Sequence, residues 1–209
     1  MTSPRKSTDG GPAAEGPAGD AADPLFCERV PCLESWLERH HGERSELWLR
    51  IAKKGSGIAS VTATEVIEAA LCFGWIDGQR RSLDAAYYLQ RISPRRRGSQ
   101  WSLVNVRKVG ELTEAGRMRE SGLAEVHAAQ ADGRWSAAYP SQKEATVPPD
   151  LAAALAANPR AARRFERLGR TDRYLLILQL LRARTPEARA TRLARMTAAP
   201  DRDRDREGG

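Results

Sequence analysis

Alternation of apolar and polar positions predicts three β-strands in the first half of the chain. In the stretch ELWLRIAKK, Leu47, Leu49 and Ile51 occupy every second position, a period typical of a strand with one buried face. The stretches WIDGQRRSL and YYLQRIS predict two further strands, and the residues LDAA between them are few enough to close a hairpin. We therefore expect a small antiparallel sheet of about three strands.

A helical period of apolar residues is clearest in the stretch VTATEVIEAALCFG. Thr62 and Glu65 have the spacing of a capping box, and Val61 and Val66 stand at positions whose side chains pack together across such a cap. Gly74 follows the last apolar residue, where a glycine commonly ends a helix. The sequence thus predicts one well-capped helix directly before the hairpin.

Shorter helical periods flank this segment on both sides. The stretch CLESWLERHHGE precedes it, Ser102 is placed to cap a later helix that runs to Gly116, and another helix covers GLAEVHAAQADG. We expect an α+β fold in which the sheet packs with helices and is followed by a C-terminal unit of three or four helices. The predicted segments are a disordered N-terminal segment (1–23), an α+β domain (24–140), a linker (141–147), the helical unit (148–197) and a disordered charged tail (198–209).

The positive charge of the chain is concentrated in two blocks. The net charge is +7, but residues 75–110 carry eight basic and two acidic side chains, and residues 158–209 carry fourteen and seven. Arginine dominates both blocks, and its planar guanidinium suits bidentate contacts with anions. This distribution makes an anionic ligand or a nucleic acid a plausible partner.

Three consecutive arginines in the stretch ISPRRRGSQWS are the most distinctive chemical feature. Pro94 and Trp101 would fix the two ends of this loop, and Ser102 would cap the following helix. Three interpretations stay open: a solvated basic loop with Trp101 in the core, a nucleic-acid contact in which aromatic rings stack on bases, and a pocket for a small anion. The candidate anion-binding residues are Lys53, Arg80, Arg81, Arg95, Arg96, Arg97 and Arg107.

A candidate polar site accompanies these cations and consists of Asp77, Trp101 and Asn105. Asp77, in the stretch GWIDG, has three possible roles: an ion pair with an arginine of the loop, a general base, or an acid bonded to its own turn. Arginines are enriched in the last two predicted helices, where Arg189, Arg192 and Arg195 recur at every third position as a stripe, either a solvated face or another anionic contact surface. No arrangement of serine, histidine and aspartate identifies catalytic residues.

The cysteines and histidines predict neither a metal site nor a disulfide framework. The chain has three cysteines, and the spacing of Cys27 and Cys32 beside His40 and His41 is not a standard zinc pattern. We expect reduced thiols, no metal and no cofactor. With no apolar signal segment and no apolar run of membrane-spanning length, the sequence predicts a soluble cytoplasmic protein.

Several motifs resemble those of the YdeI/OmpD-associated family, the bacteriocin-protection proteins. They are ALCFGWIDG, SPRRRGSQWS with Asn105, AGRM at 115–118, and RARTPEARATRLARM near the end, and the likeness covers roughly residues 25–197. The family usually has threonine where this chain has Ala188. The resemblance implies a role in bacteriocin tolerance or stress, without a defined reaction or a catalytic set.

Three hypotheses for the function follow from these observations. The first is a bacteriocin-tolerance or stress-associated protein that binds an anionic partner through the basic loop. The alternatives are an enzyme acting on a small anionic metabolite in a cleft formed by Asp77, Lys53 and the loop, and a non-specific nucleic-acid-binding protein. The absence of a paired acid and base or of a nucleophile set favours binding over catalysis, and the sequence predicts no particular oligomeric state.

Overall fold

The computed structural model describes residues 23–198, which form four strands and eight helices. The disordered segments predicted for the two ends therefore lie almost wholly outside the described residues. In chain order the elements are β1 (Leu25–Phe26), α1 (Val30–His40), β2 (Leu47–Ala52), α2 (Ala63–Cys72), β3 (Trp75–Ser82), β4 (Tyr87–Pro94), α3 (Leu103–Glu114), α4 (Glu120–Ala131), α5 (Pro149–Ala156), α6 (Pro159–Arg167), α7 (Arg170–Leu181) and α8 (Pro186–Ala198).

The sheet has the strand order β1-β2-β4-β3 and confirms the predicted α+β class. β4 pairs antiparallel with both β2 and β3, so the three predicted strands and the hairpin are present. β1 adds a fourth strand parallel to β2, in which Leu25 pairs with Leu49. Two residues are too few to show an alternation, and for this reason β1 could not be predicted from the sequence.

The predicted caps of α2 are confirmed. The hydroxyl of Thr62 accepts a hydrogen bond from the backbone N–H of Glu65, and the Glu65 carboxylate accepts one from the backbone N–H of Thr62 at 2.7 Å. Gly74 follows the helix with a φ of +77°, in the left-handed region that glycine adopts without strain. The capping box fixes where α2 begins, and Gly74 fixes where it ends and β3 begins, so together they set the position of the hairpin.

One face of the sheet packs against helices and holds the larger core. Leu33 and Leu37 of α1 and Val66 of α2 are fully buried against Leu49 and Ile92 of the sheet. Trp75, at the start of β3, is buried in the same cluster, and its indole N–H donates to the carbonyl of His41. The region from β1 to α4, called here the α/β region, is therefore stabilised mainly by apolar burial.

The four C-terminal helices, called here the helical region, pack around a much smaller core. Leu151 of α5 forms its buried cluster with Ile177 and Leu180 of α7, and Ala161 of α6 is also buried. Arg189 of α8 forms a bidentate ion pair with Asp150 of α5, with nitrogen–oxygen distances of 2.7 and 2.9 Å. Polar contacts such as this ion pair therefore contribute much of the interaction between these helices.

The structure corrects the prediction that all three cysteines are reduced. Cys27 and Cys32 form a disulfide, with their Cα atoms 5.6 Å apart. The chain turns sharply between β1 and α1, and this turn brings two cysteines five positions apart within the range that a disulfide requires. Cys72 is free and buried, and its burial raises the pKa of the thiol.

Candidate anion-binding site

The arginine loop, defined here as residues 95–102 between β4 and α3, places its first arginine inside the protein. Arg95 is only 5% exposed, and its guanidinium lies over the ring of Trp101 at 3.7 Å from the ring centre. Its Nη2 donates to the carbonyl of Gln100 at 2.8 Å, and its backbone N–H donates to the carbonyl of Gly74. Arg95 therefore anchors the loop instead of projecting from it.

Burial changes the electrostatics of Arg95. Desolvation lowers the pKa of its guanidinium to about 10, against the opposing influence of Glu125, so that the group stays charged at neutral pH. Its Nε and Nη1 have no hydrogen-bond partner among the described residues, and neither has the indole nitrogen of Trp101. The contact between the cation and the face of the ring offsets part of this desolvation.

Three arginines from different parts of the chain hold three successive carbonyls of the loop. Arg184, after α7, donates to the carbonyl of Gly98 at 2.6 Å, and Arg134, after α4, donates to that of Ser99 at 2.8 Å. Arg95 completes the series at the carbonyl of Gln100. The loop backbone is thus fixed by charge-assisted hydrogen bonds, which are stronger than neutral ones.

Gly98 is required for this arrangement. Its φ is +75°, and a Cβ atom at this position would lie 2.6 Å from Nη2 of Arg184. A larger residue would be strained in the left-handed region and would displace the arginine that holds the loop. The glycine of the PRRRG motif is therefore structural.

Tyr139 joins the loop to the helical region. Its backbone exchanges hydrogen bonds with the segment after the loop, donating to the carbonyl of Trp101 and accepting from the N–H of Leu103. Arg182 lies over the Tyr139 ring at 4.8 Å and donates to its hydroxyl at 3.2 Å. The end of α7 is thereby attached to the arginine loop through an aromatic ring and two arginines.

Arg96 and Arg97 are the arginines that the loop exposes. Neither side chain makes a hydrogen bond or an ion pair with another residue in the range 23–198. An acid near the loop, Asp132, is already paired with Arg134 at 2.7 Å, which holds the pKa of that carboxyl below its usual range. The surface around Arg96 and Arg97 is therefore strongly positive.

Lys53, Arg80 and Arg81 lie towards the other end of the hairpin. Arg81 pairs with Leu89, six residues before Arg95 and about 20 Å away at the rise of an extended strand. Nζ of Lys53 donates to the hydroxyl of Ser82 at 3.1 Å and to the carbonyl of Asp84 at 2.6 Å. The hairpin therefore does not bring these three cations to the arginine loop.

Aromatic rings cover the cations of this hairpin end. Arg81 lies over Trp48 at 4.3 Å, and Arg80 lies over Tyr88 at 4.7 Å while its Nε donates to the side chain of Gln90. In both contacts an arginine of the protein itself covers one face of the ring. Those ring faces are therefore not available to stack on the bases of a nucleic acid.

The remaining predicted residues are dispersed. Arg107 forms an ion pair with Glu144 at 2.6 Å, so its charge is neutralised. Asp77 is exposed, and no hydrogen bond joins its side chain to another described residue. The backbone N–H of Asn105 donates to the hydroxyl of Ser102, which confirms the predicted helix cap.

Sequence reasoning missed Arg134 and Tyr139, because nothing in the chain near them indicates a contact with a loop more than thirty residues away. From the sequence, Arg182 and Arg184 are only two of the arginines enriched in the last two predicted helices. Between residues 23 and 198, no cluster of histidine, cysteine, aspartate or glutamate has the geometry of a metal site. No helix in that range is long and apolar enough to cross a membrane.

Two family models match separate stretches of the chain, and the boundary between these stretches lies close to the boundary between the two hydrophobic cores. Residues 144–199 match the family model described as Bacteriocin-protection, YdeI or OmpD-Associated. The predicted resemblance is thus confirmed over the helical region. Residues 25–125, which include the arginine loop, match a model described as Domain of unknown function (DUF8412). No curated protein matches the chain. No solved structure matches it either.

Proposed function

We propose that the protein acts in bacteriocin protection by binding an anionic partner through Arg96 and Arg97. The family description of residues 144–199 supports the physiological part of this proposal. The arginine loop supports the biochemical part, because Arg95, Arg134 and Arg184 bind its backbone carbonyls while two other arginines of the same loop are exposed and unpaired among the described residues. This division between anchoring and exposed arginines is the observation that carries the proposal.

A fixed loop favours binding for an entropic reason. Ordering a flexible segment on binding subtracts from the affinity, and a loop that is already ordered avoids most of that cost. Three arginine–carbonyl bonds and the buried Trp101 order the backbone before any partner arrives. The guanidinium groups of Arg96 and Arg97 can then make bidentate contacts with phosphate or carboxylate oxygens.

The positions of Lys53 and Asp77 favour binding over the enzyme hypothesis. Lys53 is bonded to Ser82, and Asp77 lies five residues earlier in β3, about 16 Å away along the strand. A general base and a cation for one small substrate must lie within hydrogen-bond reach of the same atoms. The cleft that this hypothesis needs is therefore not assembled from these residues.

A salt titration of anion binding tests the proposal. The full chain, the double variant Arg96→Ala/Arg97→Ala and a charge-matched control, Arg163→Ala/Arg170→Ala, are titrated with labelled single-stranded DNA, duplex DNA and inorganic phosphate. Arg163 and Arg170 are exposed residues of α6 and α7, so the control loses the same charge elsewhere. We expect only the loop variant to lose binding.

The salt slope identifies the kind of anion. Binding to a polyanion falls steeply as salt increases, since each neutralised phosphate releases counterions, whereas a single small anion gives a shallow slope. Equal losses in both double variants would mean that net charge alone attracts the ligand and would refute a site at the loop.

A bacteriocin challenge of cells that lack the protein, complemented with wild type or with either variant, tests the physiological part separately.

A further inference from the structure

We infer that a groove between α7 and α8 binds an amphiphile with an apolar chain and an anionic head group. The groove encloses about 830 Å³, within the usual range for small-molecule sites. Of the described residues, ten line it: five are leucine or methionine, four are arginine, one is glutamine, and none of these ten is acidic. This site is separate from Arg96 and Arg97 and does not depend on the proposed function.

The apolar surface of the groove is a second stripe on α7. Ile177 and Leu180 of this helix face the core of the helical region. Leu175 and Leu178, three positions apart, lie on another face and line the groove, where Leu175 is 48% exposed. A surface helix normally has one apolar face, which packs against the core. A second apolar face that stays exposed is typical of a site that binds a ligand or a partner.

The rim of the groove is positive, and its geometry is fixed by contacts across it. Arg192 of α8 donates to the carbonyl of Gln179 in α7, and Arg182 is held by the hydroxyl of Tyr139. Arg195 is exposed and makes no hydrogen bond or ion pair with another residue among 23–198. Its donors are therefore available to a ligand at the edge of the apolar floor.

Charge complementarity decides which occupant fits this groove. From residue 158 to residue 198 the chain carries eleven arginines and three acidic residues. A second copy of so basic a surface would be repelled, and a neutral apolar ligand would leave the arginine rim unused. An acyl chain with a carboxylate head uses both parts, because the chain covers Leu175 and Leu178 while the head pairs with Arg195.

The binding of dodecanoate, measured by calorimetry on the full chain below the micelle concentration, tests the inference. Butanoate has the same carboxylate head with a much shorter alkyl chain. Dodecyltrimethylammonium has a long alkyl chain with a cationic head. We expect saturable binding of dodecanoate that is weaker for both comparison compounds. Leu175→Asn should weaken dodecanoate about tenfold, because it removes apolar contact, and Arg195→Gln should weaken it about threefold.

Two control substitutions match the variants outside the groove. Leu83 on the hairpin is 47% exposed, like Leu175, and Arg163 is exposed on α6, so Leu83→Asn and Arg163→Gln should leave binding unchanged. Thermal melts of all four variants verify that each remains folded. Because Leu175 and Arg195 are exposed, we expect melting temperatures close to that of the wild type.

Four results would overturn the inference. They are an absence of saturable dodecanoate binding, equal affinity for dodecyltrimethylammonium, dodecanoate affinity unchanged in Leu175→Asn, and binding to anionic vesicles without binding to monomeric dodecanoate. Light scattering tests the remaining candidate occupant of the groove, a second copy of the chain. A dimer that Leu175→Asn converts to a monomer would assign the groove to a second copy of the chain and would also overturn the inference.

Discussion

The α/β region and the helical region of this protein are stabilised by different interactions. In the first, residues such as Leu33, Leu49 and Ile92 are completely buried between the sheet and its helices. In the second, the buried cluster of the described residues consists of Leu151, Ile177 and Leu180, with Ala161 also buried, although the helices contain many leucines. The helical region therefore needs another source of cohesion.

Arginine side chains supply part of that cohesion by satisfying the carbonyls at helix ends. Arg173 donates to the carbonyl of Leu168 after α6, and Arg189 donates to that of Leu180 in the last turn of α7. Arg192 bonds to another carbonyl of that turn. The last carbonyls of a helix have no partner within it and carry partial negative charge, so cations are stabilising there.

The comparison teaches that arginine content is a poor guide to ligand sites in this chain. Most arginines in the described part of the chain bind carbonyls, carboxylates or aromatic rings, and Arg95 does so while buried beneath a basic motif. An arginine is available to a partner only where the fold leaves its donors unused. By this criterion Arg96, Arg97 and Arg195 are available to a partner, and so are the control residues Arg163 and Arg170, which lie outside both the arginine loop and the groove.

Trp101→Ala should give the largest loss of stability, because Trp101 is 1% exposed and packs against both Arg95 and Trp135. We expect the free energy of unfolding to fall by about 4 kcal/mol, the usual cost of truncating a buried tryptophan. Urea denaturation measures the loss. The matched control is Trp48→Ala, on the sheet surface beneath Arg81, which should cost about 1 kcal/mol. Equal losses in the two variants would contradict the anchoring role of Trp101.

Leu151→Ala should separate the two regions. Leu151 is 1% exposed in a core with few other buried residues, and the substitution should cost about 3 kcal/mol. Native-state hydrogen exchange should show this loss at amides of α5 to α8, with little change in β2 and β4, because the regions have separate cores. An equal decrease in protection across the whole chain would show instead that the molecule unfolds as one unit.

Asp150→Asn should have a smaller effect that depends on pH. The hydrogen bonds from Arg189 lower the pKa of the Asp150 carboxyl, so its contribution is fully present above the unfolded value near 3.9 and is lost as the pH falls through the lower folded value. Both side chains are about a third exposed, and solvent screening limits the contribution to about 1 kcal/mol. The stability difference between wild type and variant should therefore disappear in acid. A constant difference across that range would refute the ion pair.

The parts of the fold that follow from local patterns could be predicted from the sequence. The alternation at Leu47, Leu49 and Ile51 and the capping residues Thr62 and Ser102 depend on neighbours within a few positions, and the structure confirms them. The network around the arginine loop depends on contacts between distant segments, such as Arg184 with Gly98. No local pattern encodes such a contact, so the motif could be recognised while the burial of its first arginine could not.

The most direct test of this account compares Arg95→Ala with Arg96→Ala/Arg97→Ala, measuring both unfolding in urea and the binding of anions. Arg95 is buried over Trp101, and we expect its loss to lower the free energy of unfolding by about 2 kcal/mol. The exposed pair should change that free energy by less than about 0.5 kcal/mol and should abolish binding. The opposite result, a destabilised double variant beside a stable Arg95→Ala protein that no longer binds, would contradict the division between anchoring and exposed arginines.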